Sequence, residues 1–444
     1  MRLTLSRTYH KFSDRPVKQW LNWAQKGGFA IADQGLFAGT NFIVNILLAR
    51  WMSPTDYGAF ATAYSVFLLL ATFHTAMLTE PMLVFGPGKY ASVFRRYMAF
   101  MLYGHFGVTL LLGIVLAVIS GTFYVFGQSA MAAALFGLAL ATPGILILWV
   151  LRRSFYVTGQ VYWAASGGAL YLVVMMTGIV ALRQTVGLSS FSALVMMGTA
   201  GIVVGSWLIW LLKPAWTDKD NTFTSRAALN THWEYGRWAS GAAALSWLPG
   251  NIYYTVLPAW HGLEASAAFK AIMNLIMPVL QANWAISALF VPLFVHALHM
   301  HGKAGLNRMM RRMLLVFLAS SAAYWMFLFV LRNEIVTWLY GGRYSEHTDL
   351  LLLVGLLPFA ESLTLTFGNV LRAMEKPHLI FRAYIISTIL TLTVGLILVA
   401  MWNINGASLS YLLITAVLGV TMGWFCSFSL KTPMQQNVHF ESRN

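Results

Sequence analysis

The sequence predicts an all-α integral membrane protein with twelve transmembrane helices in two parallel six-helix lobes around a central cavity. Three observations support this fold class. First, 58% of the 444 residues are hydrophobic and only 10% are charged, with a mean hydropathy of +0.67, whereas soluble domains carry about 25% charged residues. Second, the basic residues collect in alternate loops between the apolar runs. Third, the two halves of the chain resemble each other.

Apolar runs long enough to cross a bilayer recur along the whole chain. The eighth run is too long for one straight helix across about 30 Å of hydrocarbon. We therefore expect a kink at Pro278 and a helix end at Pro292. The predicted spans cover residues 29–51, 59–79, 97–120, 129–151, 161–182, 189–212, 238–260, 267–296, 313–331, 350–371, 383–402 and 407–429.

The distribution of lysine and arginine predicts the orientation. If the basic segment 1–27 is cytoplasmic, 24 basic residues fall on that side of the membrane and 5 on the other. Cytoplasmic loops of membrane proteins carry such an excess, so both termini, including the tail 431–444, are expected in the cytoplasm. The net charge of +15 then reflects orientation in the bilayer, and no nucleic-acid partner is expected.

An internal repeat relates the two halves. At an offset of 210 residues, "GTNFIVNILLARW" from Gly39 aligns without a gap with "PGNIYYTVLPAWH" from Pro249, and Asn41 meets Asn251. A second similarity, with small gaps, aligns "LFGLALATPGILILWVLRR" with "LVGLLPFAESLTLTFGNVLR". Six spans per half give parallel repeats, a common transporter architecture. The predicted lobes are residues 1–212 and 238–430, joined by a cytoplasmic linker, 213–237.

Polar side chains follow one face of the first span. At 100° per residue, Asp33, Gln34, Asn41 and Asn45 fall within one third of the helix circumference. Such a face avoids lipid. It predicts either a hydrated stripe that lines the cavity and responds to a proton or cation, or a buried hydrogen-bond network between helices.

Other ionisable groups lie within or near the spans. Glu361 shares a helix face with Ser362, Thr366 and Asn369, and Glu80 lies at the cytoplasmic end of span 2. His74 and His105 lie in apolar runs without a partner visible in the sequence. Together with Asp33, the candidates for a coupling-ion site are Glu361, Glu80 and His74, each with a purely structural alternative.

Basic pairs mark the cytoplasmic ends of several spans. They are candidates for the mouth of a transport pathway, although the orientation rule already predicts basic residues there. The loop "HMHGKAGLNRMMRRM" is either such an orientation signal or a patch that faces anionic lipid phosphates. The mouth candidates are Arg95, Arg96, Arg152, Arg153, Arg311 and Arg312.

Motifs for enzymatic chemistry are absent from the sequence. It contains no HExxH, GxxxxGK[ST] or Gly-rich dinucleotide motif, so we expect a protein that is not an enzyme and has no cofactor. The one cysteine, Cys426, lies in an apolar run; we expect a buried thiol and no metal site.

Several motifs resemble those of one transporter family. "NFIVNILLARWMSPTDYGAFATAYSVFLLL" is similar to the opening of bacterial polysaccharide-export flippases of the multidrug/oligosaccharidyl-lipid/polysaccharide (MOP) superfamily. Their first span typically ends in Leu-Ala-Arg, followed by Ser-Pro or Gly-Pro, an acidic residue and Tyr-Gly or Phe-Gly; here these are Leu48–Arg50, Ser53–Pro54, Asp56 and Tyr57–Gly58. "GLEASAAFKAIMNL", "IVTWLYGGRYSEHTDLL" and "LRAMEKPHLIFRAY" resemble later family segments.

The resemblance implies that the protein moves an undecaprenyl-diphosphate-linked oligosaccharide from the inner to the outer leaflet of the bacterial inner membrane. Transport by alternating access would supply this oligosaccharide to the synthesis of exopolysaccharide, O-antigen (lipopolysaccharide) or capsule. A polysaccharide polymerase or export complex is a further expected partner. Arg50 is then either a clamp for its hairpin with Asp56 or an exit-side substrate contact. The other expected cavity residues are Asp33, Gln34, Asn41, Asn45, Asn251, Lys270, Asn274 and Glu361.

Three alternatives stay open at this point. A cation-coupled drug or metabolite antiporter of the same superfamily would need an acidic, aromatic cavity. A polysaccharide polymerase or glycosyltransferase would need a large outer loop with catalytic carboxylates or arginines, and the longest expected outer loop, 332–349, is short and amphipathic. A scaffold in a polysaccharide complex would not need Asp33 or Glu361.

Overall fold

A computed structural model of the chain describes residues 14–217 and 223–431. Residues 1–13 of the predicted basic N-terminus, 218–222 of the predicted linker and 432–444 of the predicted tail lie outside the described residues. The described part is built from helices joined by short turns. This confirms the predicted fold class, an all-α multi-pass membrane protein.

The chain divides into two compact units that meet in the sequence between Ala244 and Leu245. This boundary lies inside a helix, α8, which covers Ser225–Asn251. The helices before it are α1 (Asp14–Trp51), α2 (Pro54–His74), a π-helical turn (Thr75–Thr79), α3 (Glu80–Phe85), α4 (Phe94–Val125), α5 (Ser129–Val157), α6 (Val161–Gln184) and α7 (Ser190–Leu212).

The second unit continues with long helices that are broken internally. Within it, α10 packs against α9 and α12, and α14 packs against α12 and α13. The helices are α9 (Tyr253–His261), α10 (Leu263–Tyr340), a 3-10 turn (Ser345–His347), α11 (Leu350–Val354), α12 (Leu357–Ala373), α13 (Pro377–Leu390), a second π-helical turn (Thr391–Gly395) and α14 (Leu396–Lys431).

Nine helical stretches of the described residues are long and apolar enough to cross a membrane. Two of them contain an interior break, at Gly302 in α10 and at Trp402–Asn403 in α14, so each of these two covers two predicted spans. The expected helix end at Pro292 is wrong, because the helix continues through that residue and breaks at Gly302, whose φ of 56° suits glycine.

The predicted seventh span, 238–260, is also revised. It is divided between α8 and α9, with Asn251 at the last position of α8. The first half of α8 carries charged residues, among them Arg226, Glu234 and Arg237. This charge explains why α8 is not among the nine apolar stretches found in the described part of the chain.

His232 joins the start of α8 to other helices of the first unit. It lies in the predicted linker, 213–237, outside the predicted spans. Its Nδ1 lies 2.8 Å from the carbonyl oxygen of Met77, and its Nε2 lies 2.6 Å from the hydroxyl of Tyr97. A carbonyl only accepts, so Nδ1 carries the proton and Nε2 accepts from Tyr97. Met77 belongs to the first π-helical turn, so a neutral imidazole ties the linker to that turn.

This contact predicts a pH-dependent stability. Burial lowers the pKa of His232 below its ordinary value of 6.5, so the unfolded chain takes up a proton that the folded chain resists. The contribution of His232 is therefore complete above about pH 6.5 and is lost as the pH falls towards its lower folded pKa. We expect the melting temperature of the wild type in detergent to fall below pH 6.5 more steeply than that of His232→Ala. Parallel curves would contradict this assignment.

Helix α5 forms the centre of the first unit and packs against α2, α4, α6 and α7. Its contact with α7 depends on small residues. A Cβ on Gly144 would lie 2.1 Å from the carbonyl oxygen of Gly198, and a Cβ on Gly201 would lie 2.1 Å from that of Gly144. The two backbones therefore approach through glycine, as in other membrane helix pairs.

A larger side chain at this crossing should destabilise the first unit. We expect Gly201→Val to lower the free energy of unfolding by about 1–3 kcal/mol or more, because the neighbouring backbone of Gly144 has no room to move away. Gly107→Val provides the control, since a Cβ there meets nothing within 4 Å. Size-exclusion chromatography after heating in detergent measures both variants; equal losses would refute the importance of the crossing.

Candidate functional site

The first unit contains a buried ion pair between α1 and α5. Arg152 donates from Nη2 and Nε to Oδ1 of Asp33 at 2.7 and 2.9 Å, and from Nη2 to the carbonyl oxygen of Asp33 at 3.2 Å. The hydroxyl of Tyr156 donates to Oδ2 at 2.7 Å. Asp33 is 1% exposed and Arg152 6%, so both carboxylate oxygens are satisfied and the charge is compensated.

This pairing changes the interpretation of the polar stripe on the first span. Asp33 belongs to an interhelical network, with the guanidinium of Arg152 also 4.1 Å from the centre of the Phe37 ring. Asn45 donates to the backbone oxygen of Asn41, one turn earlier, at 2.8 Å. Gln34 is exposed. Asp33 and Gln34 therefore share a hydrogen-bond partner, Tyr156, whereas Asn45 bonds within its own helix.

A small cavity of about 110 Å³ opens beside this ion pair. Within the lining set, Arg152 is compensated by Asp33, whereas the side chain of Arg153 is exposed. Arg153 also lies within electrostatic range of Glu80, whose carboxylate bonds to Tyr235. The lining residues are Asp33, Gln34, Phe37, Trp149, Arg152 and Arg153. With two arginines and one aspartate, the cavity wall carries net positive charge.

The two intramembrane histidines contact each other. Nε2 of His74 lies 3.0 Å from Nδ1 of His105, and the side chains are 2% and 0% exposed. Each histidine is therefore the partner of the other, a contact that is not visible in the sequence. One nitrogen of this contact donates and the other accepts, so one hydrogen bond joins the two rings.

The predicted mouth arginines Arg95 and Arg96 lie against the linker. Arg95 Nε donates to the carbonyl oxygen of Lys213. Arg96 Nη1 donates to the carbonyl oxygen of Ala215 at 3.2 Å and to that of Trp216. Lys213 ends α7 in the left-handed conformation. Cations at the carboxyl end of a helix compensate its unpaired carbonyls, so these contacts hold the chain as it leaves α7.

Glu361 in the second unit meets aromatic side chains. Its Oε1 accepts from Nε1 of Trp284 at 3.0 Å, and it interacts electrostatically with the hydroxyls of Tyr384 and Tyr411. Trp284 is 43% exposed. The residues expected to share its face (Ser362, Thr366 and Asn369) are buried, so the predicted polar face is divided between core and surface.

The remaining cavity candidates lie in the second unit. Lys270 is half-buried with its amine 5.3 Å from the centre of the Tyr254 ring, and Asn274 is buried. Asn251 donates to the backbone oxygen of Trp247 at 3.2 Å.

Helix-end and loop charges complete the set of predicted residues. Arg50 is exposed at the end of α1. Asp56 interacts with Ser53, the N-cap of α2, through its backbone N–H and its carboxylate. Arg311 and Arg312 are exposed on α10, and Arg312 lines a cavity beside the break at Gly302.

Sequence reasoning missed Tyr156 and His232. Tyr156 follows Arg152 by four residues and so lies on the same helix face, which is the signal that would have linked it to the arginine. No comparable signal links His232 to Tyr97, because the two lie on separate helices.

Comparison with solved structures identifies the fold. No protein-family model and no curated protein sequence match the chain. An inward-facing multidrug resistance MATE family transporter of the MOP superfamily aligns with a TM-score of 0.74 and 11% identity, over 89% of this chain and 94% of that one. The protein therefore has the fold of MOP superfamily transporters.

The same fold occurs in proteins described by different activities. The lipid II flippase MurJ, in an inward closed conformation, aligns with a TM-score of 0.69 and 13% identity, over 91% of this chain and 87% of that one. The eukaryotic MATE transporter AtDTX14 aligns with a TM-score of 0.66 and 14% identity, over 94% and 96%. Because multidrug transporters and a lipid flippase share the fold, any activity of this chain must be argued from its own side chains.

Breaking the buried ion pair should destabilise the first unit. Asp33→Asn leaves the charge of Arg152 uncompensated, and Arg152→Gln leaves the charge of Asp33 uncompensated. We therefore expect each substitution to lower the free energy of unfolding by about 3–5 kcal/mol. The double variant should lose less than the sum of the two. Melting temperatures in detergent test this, with Arg153→Gln as the control next to the pair. Additive losses would contradict the contact.

Proposed function

We propose that the protein is a flippase of the MOP superfamily that moves an undecaprenyl-diphosphate-linked oligosaccharide from the inner to the outer leaflet by alternating access. The observation that carries this proposal is the exposed guanidinium of Arg153 in a net positive cavity. In this proposal the protein lies in a bacterial inner membrane with both termini in the cytoplasm. The product would pass to a polysaccharide polymerase or export complex.

The chemistry of the head group supports an arginine-lined entry site. A sugar diphosphate cannot cross hydrocarbon unaided, since its charges and hydroxyls would lose their hydrogen bonds. A planar guanidinium binds phosphate oxygens in pairs, with more directional contacts than an amine. The cavity of about 110 Å³ is small for a bound ligand, because small-molecule pockets usually measure about 300–1,000 Å³. It would therefore accept a phosphate group while the sugars remain outside.

The partner of Asp33 also favours an anionic substrate. A free carboxylate at this position would repel a diphosphate, whereas Arg152 compensates its charge at 2.7 Å. Arg153 then supplies the excess positive charge. We infer that the ion pair lets the cavity receive an anion beside a buried acid.

The second candidate function is antiport of an organic cation. It is favoured by Glu361, because its carboxylate lies beside the exposed ring of Trp284 and near two tyrosine hydroxyls. Carboxylates and aromatic faces are the groups that attract organic cations. The two candidate functions thus depend on different residues in different units, which makes them separable by mutation.

Loss of Arg153 should impair transport of the lipid-linked substrate. We expect Arg153→Gln to reduce flipping at least about tenfold, since charge-assisted hydrogen bonds contribute about 1.5–3 kcal/mol each, with Arg153→Lys intermediate. The measurement is accumulation of undecaprenyl-linked glycan in the cytoplasmic leaflet of cells in which the variant replaces the wild type. Arg237→Gln, which removes an exposed charge from α8, is the control.

The outcome separates the two functions. Glycan accumulation on deletion, reproduced by Arg153→Gln but not by Arg237→Gln, supports the flippase. Absence of accumulation, with loss of cation efflux in Glu361→Gln, supports the antiporter and rejects the flippase. Glu361→Gln also tests coupling, because it should abolish gradient-driven flipping at normal protein levels if Glu361 carries the proton. Asp33→Asn does not test coupling cleanly, since it breaks the ion pair.

A further inference from the structure

A second basic cavity lies in the C-terminal unit, apart from the residues on which the proposed function rests. Gly302 breaks α10 into two arms, and residues 293–313 around this break include three histidines, one lysine and three arginines but no acidic residue. The distribution of basic residues predicts that this turn faces the cytoplasm. The orientation rule accounts for lysine and arginine only, so it leaves the histidines and their arrangement unexplained.

Four of these basic side chains line one cavity of about 220 Å³. His296 and His301 come from the arm before the break, and Arg308 and Arg312 from the arm after it. All four are exposed, so their charged ends are accessible to a ligand. Donors therefore converge on one site from both arms of the turn.

The same cavity has an apolar border. Leu293, which is 46% exposed, and Met309 line it beside the basic groups. The turn is fixed within the unit, because Nζ of Lys303 donates to the carbonyl oxygen of Leu430 at 2.7 Å. A fixed site that offers phosphate donors next to apolar surface at the end of membrane helices matches an amphiphile with a phosphate at its polar end.

We propose that this cavity binds the phosphate of an anionic phospholipid. Its volume of about 220 Å³ suits a phosphate-sized group better than a complete sugar head, since pockets for larger ligands exceed about 300 Å³. Leu293 and Met309 contact the glycerol and the first acyl carbons, while the arginines and histidines bind the phosphate oxygens. Inorganic phosphate shares this chemistry but would leave the apolar border uncovered.

The test uses two adjacent arginines. Arg311 and Arg312 are both exposed on the same arm of α10, but only Arg312 lines the cavity. Arg312→Gln and Arg311→Gln thus remove the same charge at neighbouring positions. Full-length variants are placed in nanodiscs of equal parts phosphatidylglycerol and phosphatidylcholine, and retained phosphatidylglycerol is measured by native mass spectrometry.

A bound lipid predicts unequal effects. We expect Arg312→Gln to reduce retained phosphatidylglycerol about fivefold, with Arg311→Gln unchanged from wild type. Equal reduction in both variants would overturn the proposal in favour of diffuse attraction, and no reduction in either would also overturn it. Wild-type protein that retains no phosphatidylglycerol but binds inorganic phosphate, with that binding lost in Arg312→Gln, would overturn the lipid as ligand and assign the site to free phosphate. If Arg312→Gln does not fold, Arg308→Gln takes its place against the same control.

Discussion

The buried ion pair between Asp33 and Arg152 is the constraint on which the first unit depends. Separated by 119 positions in the sequence, the two residues join α1 to α5, the helix at the centre of that unit. In a low-dielectric interior an uncompensated charge is costly, while a paired and fully hydrogen-bonded one is tolerated. The ion pair therefore links α5 to α1, a helix that otherwise packs mainly against α6.

The same constraint determines which charge remains available. Arg152 is engaged by both Asp33 and the Phe37 ring, and it cannot turn towards a ligand without leaving a buried carboxylate. Arg153, the next residue along α5, lies on a different helix face and is exposed. A pair of adjacent arginines in the sequence thus becomes one structural and one accessible cation.

Transmembrane architecture could be predicted from the sequence because it depends on local properties. Apolar length and loop charge are read along the chain without knowledge of packing. The end of a helix depends on packing, and its prediction at Pro292 was wrong. The helix continues to Gly302, because neighbouring helices accommodate prolines in membrane helices. The site was less predictable. The orientation rule already accounts for Arg152, and a helical wheel of α1 shows no residue of α5, so the sequence does not indicate that Arg152 pairs with Asp33.

Comparison of the repeats shows how the two units differ in charge. The second similarity between the two halves of the sequence aligns Arg152 with Arg372. Arg152 meets a buried aspartate at 2.7 Å, whereas Nη1 of Arg372 donates at 2.8 Å to the neutral amide oxygen of Asn369. The position that corresponds to Asp33 at the 210-residue offset is Ala243, which carries no charge. One half therefore holds its arginine with a compensating carboxylate and the other with an amide, while the second unit's own acid, Glu361, is associated with Trp284. Corresponding arginines of the two halves therefore have different partners, so the two units differ in the charge that surrounds this position.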